Sequence, residues 1–231
     1  MKSLNQYINE KLKVSKKQYT YCPQTKEELQ KICFDLIDKQ SLEDIIDLND
    51  IDTSNITDMS MLFKTCEGII KIDVSSWDVS NVKNIDLMFD ECINIEDIIG
   101  INKWDVSNVT SMECIFRDCE KLDCDLSNWN VSNVTNMFEA FCNCKKFNCN
   151  LSDWNVSNVI NMEGIFFNCK NFEGKGLENW DVSNVKDMYD MFYRCEKLDC
   201  DLSNWDVSNI TNMDSMFSKC PIKDEYKPKF K

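Results

Sequence analysis

Hydrophobic and polar residues follow a pattern that returns about every 25 residues along most of the chain. The hexapeptide WDVSNV, or a close variant, begins at six tryptophans, and a weaker copy begins at Ile51. The tryptophans are Trp77, Trp104, Trp129, Trp154, Trp180 and Trp205. Successive starts are 26, 27, 25, 25, 26 and 25 residues apart, so seven units fill residues 51–220. Such self-similarity predicts a repeat architecture, because a unit this small buries its apolar side chains only against its neighbours.

We number each unit from its tryptophan, or from Ile51, as position 0. Positions 3 and 4 are always Ser and Asn, and position 8 is Met in every unit except one, which has Ile85. Position 12 is always Phe, which defines the Phe column: Phe63, Phe89, Phe116, Phe141, Phe166, Phe192 and Phe217. Position 15 is always Cys, which defines the Cys column: Cys66, Cys92, Cys119, Cys144, Cys169, Cys195 and Cys220. We expect the Phe and Met positions to form the core and the Ser and Asn positions to satisfy backbone groups from coil to coil.

The spacing within a unit predicts its local structure. Positions 0 and 2, such as Trp129 and Val131, point the same way on a short strand, and Leu126 precedes that strand by three residues. Residues 134–141 place apolar side chains three and four apart, which predicts one or two turns of α or 3-10 helix. The predicted fold class is an α/β solenoid, leucine-rich-repeat-like. It has about seven coils, with one short parallel strand and a short helix or 3-10 turn per coil, over roughly 30 Å.

The two ends of the chain depart from the repeat. Thr25 and Glu28 form a capping box that opens an amphipathic helix. Its predicted apolar face consists of Leu29, Ile32, Cys33, Leu36 and Ile37, and an earlier helix would present Leu4, Tyr7, Ile8 and Leu12. We therefore divide the chain into a helical N-terminal cap (1–47), a solenoid of seven units (48–220) and a short C-terminal tail (221–231) that begins at Pro221.

Composition narrows the possible functions. The formal net charge is −14, which argues against binding to nucleic acid and against docking on anionic membranes. The chain has no histidine and only five glycines, so we expect no imidazole chemistry, no glycine-rich phosphate loop and no cofactor. It shows neither a secretory signal nor an apolar run of about 18 residues. These features predict a cytoplasmic protein with reduced thiols that is not an enzyme and does not insert into membranes.

The repeat W-D-V-S-N-V-T-x-M-x-x-M-F-x-x-C resembles the BspA-type leucine-rich repeat family, in the variant found in mycoplasma lipoproteins and bacterial surface proteins. The resemblance covers about 170 of the 231 residues. It implies a right-handed solenoid without catalytic residues, and it implies adhesion to host proteins for members at the cell surface. Short proteins of gut bacteria and their phages show a weaker similarity.

Seven further cysteines lie outside the Cys column: Cys22, Cys33, Cys114, Cys124, Cys142, Cys149 and Cys200. We expect the Cys column to form a ladder of buried thiols beside the Phe column. Zinc binding by the C-x₄-C pairs is one alternative, although these pairs lie about 25 residues apart and four ligands must converge. Disulfides between adjacent coils are another. The pairs are Cys119/Cys124, Cys144/Cys149 and Cys195/Cys200.

Position 1 carries a column of acidic residues next to the inward-pointing tryptophan and valine. Its members, the position-1 column, are Asp52, Asp78, Asp105, Asn130, Asn155, Asp181 and Asp206. We expect these side chains to form a solvated acidic face, with a Ca²⁺ site as the alternative because stacked carboxylates repel one another. Metal ligands, catalytic residues and cofactor-binding residues are therefore not assigned.

The sequence predicts a monomeric, non-enzymatic scaffold for protein–protein interaction, whose acidic solenoid surface suits a basic protein partner. Other candidate contacts lie at Glu91, Glu96 and Asp97, and over residues 170–175, which begin at Lys170 and end at Lys175. Two alternatives remain: a surface adhesin of BspA type that is exported without a recognisable signal, and a structural component of a phage or virion.

Overall fold

The computed structural model describes residues 17–41 and 44–229. Helix α1 spans Lys26–Ile37. Strands β1 (Ile45–Asp47), β2 (Lys71–Asp73) and β3 (Asp97–Ile99) form a parallel three-stranded sheet in that order. The short 3-10 helices span Ile101–Lys103, Leu177–Asn179 and Asp224–Tyr226. Most of the remaining described residues form turns and loops.

Helix α1 begins where the capping signal predicts. The Thr25 hydroxyl accepts a hydrogen bond from the Glu28 N–H at 3.2 Å, which satisfies one of the unpaired donors of the first turn. Leu29 and Cys33 are fully buried against the first unit, and Ile32 and Leu36 are partly buried there. The earlier helix that we predict around Leu4, Tyr7, Ile8 and Leu12 lies outside the described residues.

The prediction of one strand per coil at the tryptophan and valine is wrong: the three strands lie several residues before position 0 of the first three units, and the later described units are joined by isolated bridges instead. β2 ends at Asp73, four residues before Trp77. The chain bends after each position 0 because the side chain at position 1 accepts a hydrogen bond from the N–H at position 3, as Asp105 does from Ser107 at 3.1 Å. Such a side-chain bond competes with strand pairing and favours a turn.

The helix predicted at positions 5–12 is replaced by a turn that recurs in every unit. Positions 10 and 14 have φ between 49° and 61°, which is the left-handed region. These residues are Met61, Thr65, Leu87, Glu91, Cys114, Asp118, Glu139, Asn143, Gly164, Asn168, Asp190, Arg194, Ser215 and Lys219. A left-handed conformation costs a residue other than glycine about 1–2 kcal/mol, so other interactions must hold the turn in place.

Backbone hydrogen bonds to the next unit offset that cost. The N–H groups at positions 8, 10, 12 and 14 donate to carbonyl groups of the following unit, as Met137 does to Asn161 at 3.0 Å and Phe141 to Ile165 at 3.0 Å. The N–H groups at positions 11, 13 and 15 instead bond within their own unit, as Cys144 does to the Phe141 carbonyl. Alternating right- and left-handed residues therefore aim the two sets of donors in different directions, which a helix cannot do.

Position 7 joins each unit to the next by an isolated parallel bridge. The bridged residues are Asp58, Asn84, Ser111, Asn136, Asn161, Asp187 and Asn212. Together with the parallel sheet and the hydrogen bonds between units, these bridges are compatible with a solenoid-like fold.

Aromatic side chains fill the centre of this arrangement. Successive rings of the Phe column stack with centroids 5.3–5.9 Å apart. All members are fully buried except Phe217 in the last unit, which is partly buried. Trp129 and Trp154 bury their indoles beside the column and donate Nε1–H to the carbonyl groups of Ile101 and Leu126, which lie just before the tryptophan of the preceding unit. Each unit thus completes its core with its neighbours.

The invariant asparagine at position 4 has a structural role. From the second unit onward its Nδ2 donates to the carbonyl of the serine at position 3 of the preceding unit, over 2.7–2.8 Å. Asn158, for example, bonds to Ser132. An asparagine amide can reach this carbonyl and a shorter side chain cannot, which explains why the residue recurs in every unit.

Candidate binding surface

The position-1 column lies on the outside of the structure. Its side chains are exposed, apart from Asp52, which is half-buried. Each accepts a hydrogen bond from the backbone N–H of the serine at position 3 over 3.0–3.2 Å. Asp78 also accepts a second hydrogen bond, from the Ser80 hydroxyl, at 2.6 Å. One side-chain oxygen, of a carboxylate or of an asparagine amide, therefore faces the serine, and each side chain is held in a defined orientation.

The charges of this column fall into two groups. Asp52, Asp78 and Asp105 lie toward the N-terminal end and Asp181 and Asp206 toward the C-terminal end, while Asn130 and Asn155 occupy the middle. Hydrogen bonds from Ser183 lower the pKa of Asp181, although the nearby charge of Asp206 opposes this effect. Asp181 is therefore ionised at neutral pH and contributes to a negative field over the last units.

The other candidate contacts do not form one site. Glu96 and Asp97 are exposed at the start of β3, and Glu91 approaches Arg117 to 3.9 Å. Two of the candidate lysines already have acidic partners: Lys170 pairs with Glu196 at 3.1 Å and Lys175 with Glu173 at 2.8 Å. The lysines belong to the unit that begins at Trp154, whereas Glu91, Glu96 and Asp97 belong to the unit that begins at Trp77, so the structure does not bring these groups together.

A buried ion cluster occupies position 13 of the first three units. Asp90 is fully buried, and its carboxylate receives Arg117 in a two-pronged contact, Nε to Oδ1 at 2.8 Å and Nη2 to Oδ2 at 3.0 Å. Lys64 approaches Asp90 Oδ2 to 2.9 Å, and Arg117 Nη1 also contacts Glu139 at 3.1 Å. Sequence reasoning missed this cluster. The cluster could have been predicted from the alternation of positive and negative charge at position 13 of successive units, which is occupied by Lys64, Asp90 and Arg117.

An acidic cleft of about 310 Å³ opens next to that cluster. Glu139, Glu163 and Asp190 line it, and Gly164 supplies no side chain at a position where the other units carry one. Burial, followed by the charges of Asp187, Glu139 and Asp190, raises the pKa of Glu163. Burial also raises the pKa of Asp190. Sequence reasoning missed the cleft because it assigned these positions to a helix.

The inner members of the Cys column are buried beside the aromatic core. Their thiols donate to the carbonyl of the phenylalanine in the preceding unit over 2.9–3.1 Å, as Cys144 does to Phe116. Cys66 and Cys220 at the two ends are only partly buried, and all fourteen cysteines are unpaired thiols. Within residues 17–41 and 44–229, no three acidic or cysteine side chains are placed to hold a metal ion.

Thiol reactivity measures this burial directly. Burial raises the pKa of the Cys144 thiol well above its ordinary value, so the reactive thiolate is scarce as well as shielded. We expect a thiol reagent at pH 7 to label the exposed Cys22 within seconds to minutes and Cys144 at least about 1,000-fold more slowly, because Cys144 requires opening of the core. Labelling in urea provides the control. Fast labelling of native Cys144 would contradict its burial.

Comparison with known proteins identifies the family. A family model described as "Mycoplasma protein of unknown function, DUF285" matches residues 33–154 and, in a second overlapping stretch, residues 136–225. The chain belongs to this family. Two overlapping matches of a DUF285 model are what an internally repeated chain produces. A search of curated proteins gave no match, and neither did a search of solved structures.

The described part of this DUF285 member contains no helix that is both long and apolar enough to span a bilayer.

Proposed function

We propose that this DUF285 protein is a non-enzymatic scaffold that binds a basic protein through the position-1 column. The observation that carries the proposal is the repeated bond from Ser N–H to the side chain at position 1, which fixes exposed carboxylates in two groups along the column. Pre-oriented like charges create a field that attracts a positively charged partner, and they lose little side-chain entropy when the partner binds.

The scaffold is a solenoid of seven coils in this proposal. The bridges at position 7 and the hydrogen bonds between units support seven stacked units. The Cys column then acts as a structural ladder: each inner thiol fills a small space beside the Phe column and satisfies a carbonyl. The BspA-type assignment, a cytoplasmic location, a monomeric state, and the lack of enzymatic activity, of nucleic-acid binding and of membrane insertion belong to the same proposal.

The chain itself supplies a conservative way to remove the charge. Asn130 and Asn155 accept the same bond from serine, at 3.2 and 3.1 Å, as the aspartates of the column do. Asparagine at the other positions should therefore preserve the turn and remove only the carboxylate. A variant that combines Asp78→Asn, Asp105→Asn, Asp181→Asn and Asp206→Asn removes four of the negative charges that contribute to the net charge of −14, and we expect it to keep the fold.

The experiment compares partners captured from a lysate of the source cells by the wild-type protein and by this variant. We expect a basic protein to bind the wild type at low salt, to dissociate at about 0.5 M salt, and to bind the variant at least about tenfold more weakly. Glu163→Gln combined with Asp190→Asn, which removes acidic charge from the cleft and spares the contacts of Arg117, is the control and should retain the partner. Equal capture by wild type and the four-residue variant would refute the proposal.

A further inference from the structure

The last unit, which begins at Trp205, ends in an edge that carries backbone donors only. The N–H groups of Met213, Ser215, Phe217 and Lys219 occupy positions 8, 10, 12 and 14, which donate to the following unit everywhere else. These four N–H groups have no acceptor among the described residues. Four donors in a row are unusual, because unpaired backbone groups next to apolar surface are costly.

The carbonyl groups of the same segment do not share this edge. Asn212, Asp214, Met216 and Ser218 direct their carbonyl oxygens back to the preceding unit, where they accept from the N–H groups of Met188, Asp190, Phe192 and Arg194 over 2.8–3.0 Å. The alternating N–H groups, those of Met216, Ser218 and Cys220, bond within the unit. The left-handed residues at positions 10 and 14 produce this separation, so the edge presents donors without acceptors between them.

Apolar side chains border the row of donors. Met213 is 37% exposed, whereas its counterpart Met188 in the preceding unit is fully buried. Phe217 and Val207 are only partly buried, although their counterparts in the preceding unit are covered. The C-terminal tail reaches part of this end, since the Tyr226 carbonyl accepts from the Leu202 N–H, but its described residues, 221–229, leave the four donors unpaired. Side chains that an inner unit buries are therefore available for contact.

We propose that this donor edge, residues 213–219, binds a repeat segment of the same type that presents a row of backbone carbonyl oxygens. The structure shows which partner such an edge binds, because the same N–H groups of each inner unit donate to carbonyl groups of the next unit. Met162, Gly164, Phe166 and Asn168, for example, donate to the carbonyl groups of Asp187, Tyr189, Met191 and Tyr193 over 2.6–3.1 Å. An incoming segment would also place its position-4 asparagine on the Ser208 carbonyl and its position-15 cysteine on the Phe217 carbonyl, as inner units do.

The polarity of the edge excludes two other occupants. An ordinary β-strand alternates N–H and C=O groups along each edge, so its own donors would face donors here and stay unpaired. A second copy joined through the same edge would likewise oppose donors to donors. A second copy joined through its N-terminal end is hindered by α1, because Lys26 and Gln30 contact Ser60 and Met61 of the first unit. The partner is therefore a repeat chain whose acceptor edge is uncovered.

Amide hydrogen exchange on the full-length protein tests the proposal. The probe is a synthetic 25-residue peptide with the sequence of residues 180–204, and a scrambled peptide of the same composition is the control. We expect saturating probe to slow exchange of the Met213, Ser215, Phe217 and Lys219 amides at least tenfold, and the scrambled peptide to leave them unchanged. Unchanged exchange with about 1 mM probe, or equal protection by the scrambled peptide, would overturn the proposal.

Two variants test whether the probe binds at the donor edge or at another exposed apolar surface. Met213→Asp places a carboxylate beside the donors and should weaken probe binding at least tenfold. Met61→Asp changes another exposed methionine, at the opposite end of the structure, and should not affect probe binding. Protection of the four amides in the protein without probe, through self-association or through the tail, would also overturn the proposal. The edge is remote from the first members of the position-1 column, so its failure leaves the acidic-surface proposal untouched.

Discussion

Phe141→Ala is expected to lower the free energy of unfolding by about 4 kcal/mol. Phe141 is fully buried in the central unit, and its ring stacks on Phe116 and Phe166 at 5.7 Å and on Phe147 at 4.4 Å. Alanine removes these contacts and leaves a cavity, because both neighbouring units are held in place by backbone hydrogen bonds and cannot close the gap. Urea unfolding followed by tryptophan fluorescence measures the change.

Phe217→Ala is the matched control for this prediction. Phe217 occupies the same position of the last unit, where it is only partly buried and stacks on Phe192 alone within the column. Its loss should therefore cost about half as much as the loss of Phe141. An unfolding midpoint that does not move in Phe141→Ala, or that moves further in Phe217→Ala, would show that the Phe column is not a continuous core.

Asp90→Ala is expected to destabilise the fold by about 3 kcal/mol. The substitution removes the carboxylate that holds Arg117 and Lys64 together and leaves two cations next to each other and partly shielded from water. The remaining Glu139 contacts Arg117 at only one nitrogen. Removing one partner of a buried ion pair costs more than the pair itself contributes, since the desolvated partner is left uncompensated.

Glu91→Ala is the control for Asp90→Ala, and it tests whether the loss of stability depends on burial of the carboxylate. Glu91 follows Asp90 directly, but its side chain is 46% exposed and lies 3.9 Å from Arg117. Its loss should change stability by no more than about 0.5 kcal/mol. Thermal unfolding of both variants at low and high salt gives the comparison. Equal stability of Asp90→Ala and the wild type would mean that the cluster contributes nothing to the fold.

The sequence was sufficient to predict the period, the core columns and the capping helix. Apolar residues that recur at fixed positions can be buried together when units stack, which places Phe141 and Cys144 inside. The signal at Thr25 and Glu28 starts α1 where the structure has it. These features depend on side-chain chemistry that a sequence shows directly.

The turn between positions 8 and 15 could not be predicted in the same way. Apolar residues at positions 5, 8, 11, 12 and 15 have helical spacing, and the turn uses the same spacing to aim them inward. What distinguishes the two is the sign of φ at positions 10 and 14, where residues as different as Leu87, Glu139 and Gly164 all adopt the left-handed region. Hydrogen bonds to the next unit impose this conformation, and local propensity does not encode them. The acidic cleft at Gly164 was missed for the same reason.

Excision of one complete unit tests the stacking of units most directly. Deletion of residues 154–179 joins Asp153 to Trp180 and keeps every column in register, whereas deletion of residues 154–166 removes half a unit and joins Asp153 to Phe167. The account predicts that the first variant still unfolds cooperatively in urea and that the second does not fold. Loss of folding in both variants would contradict it, because the repeats would then not be interchangeable layers.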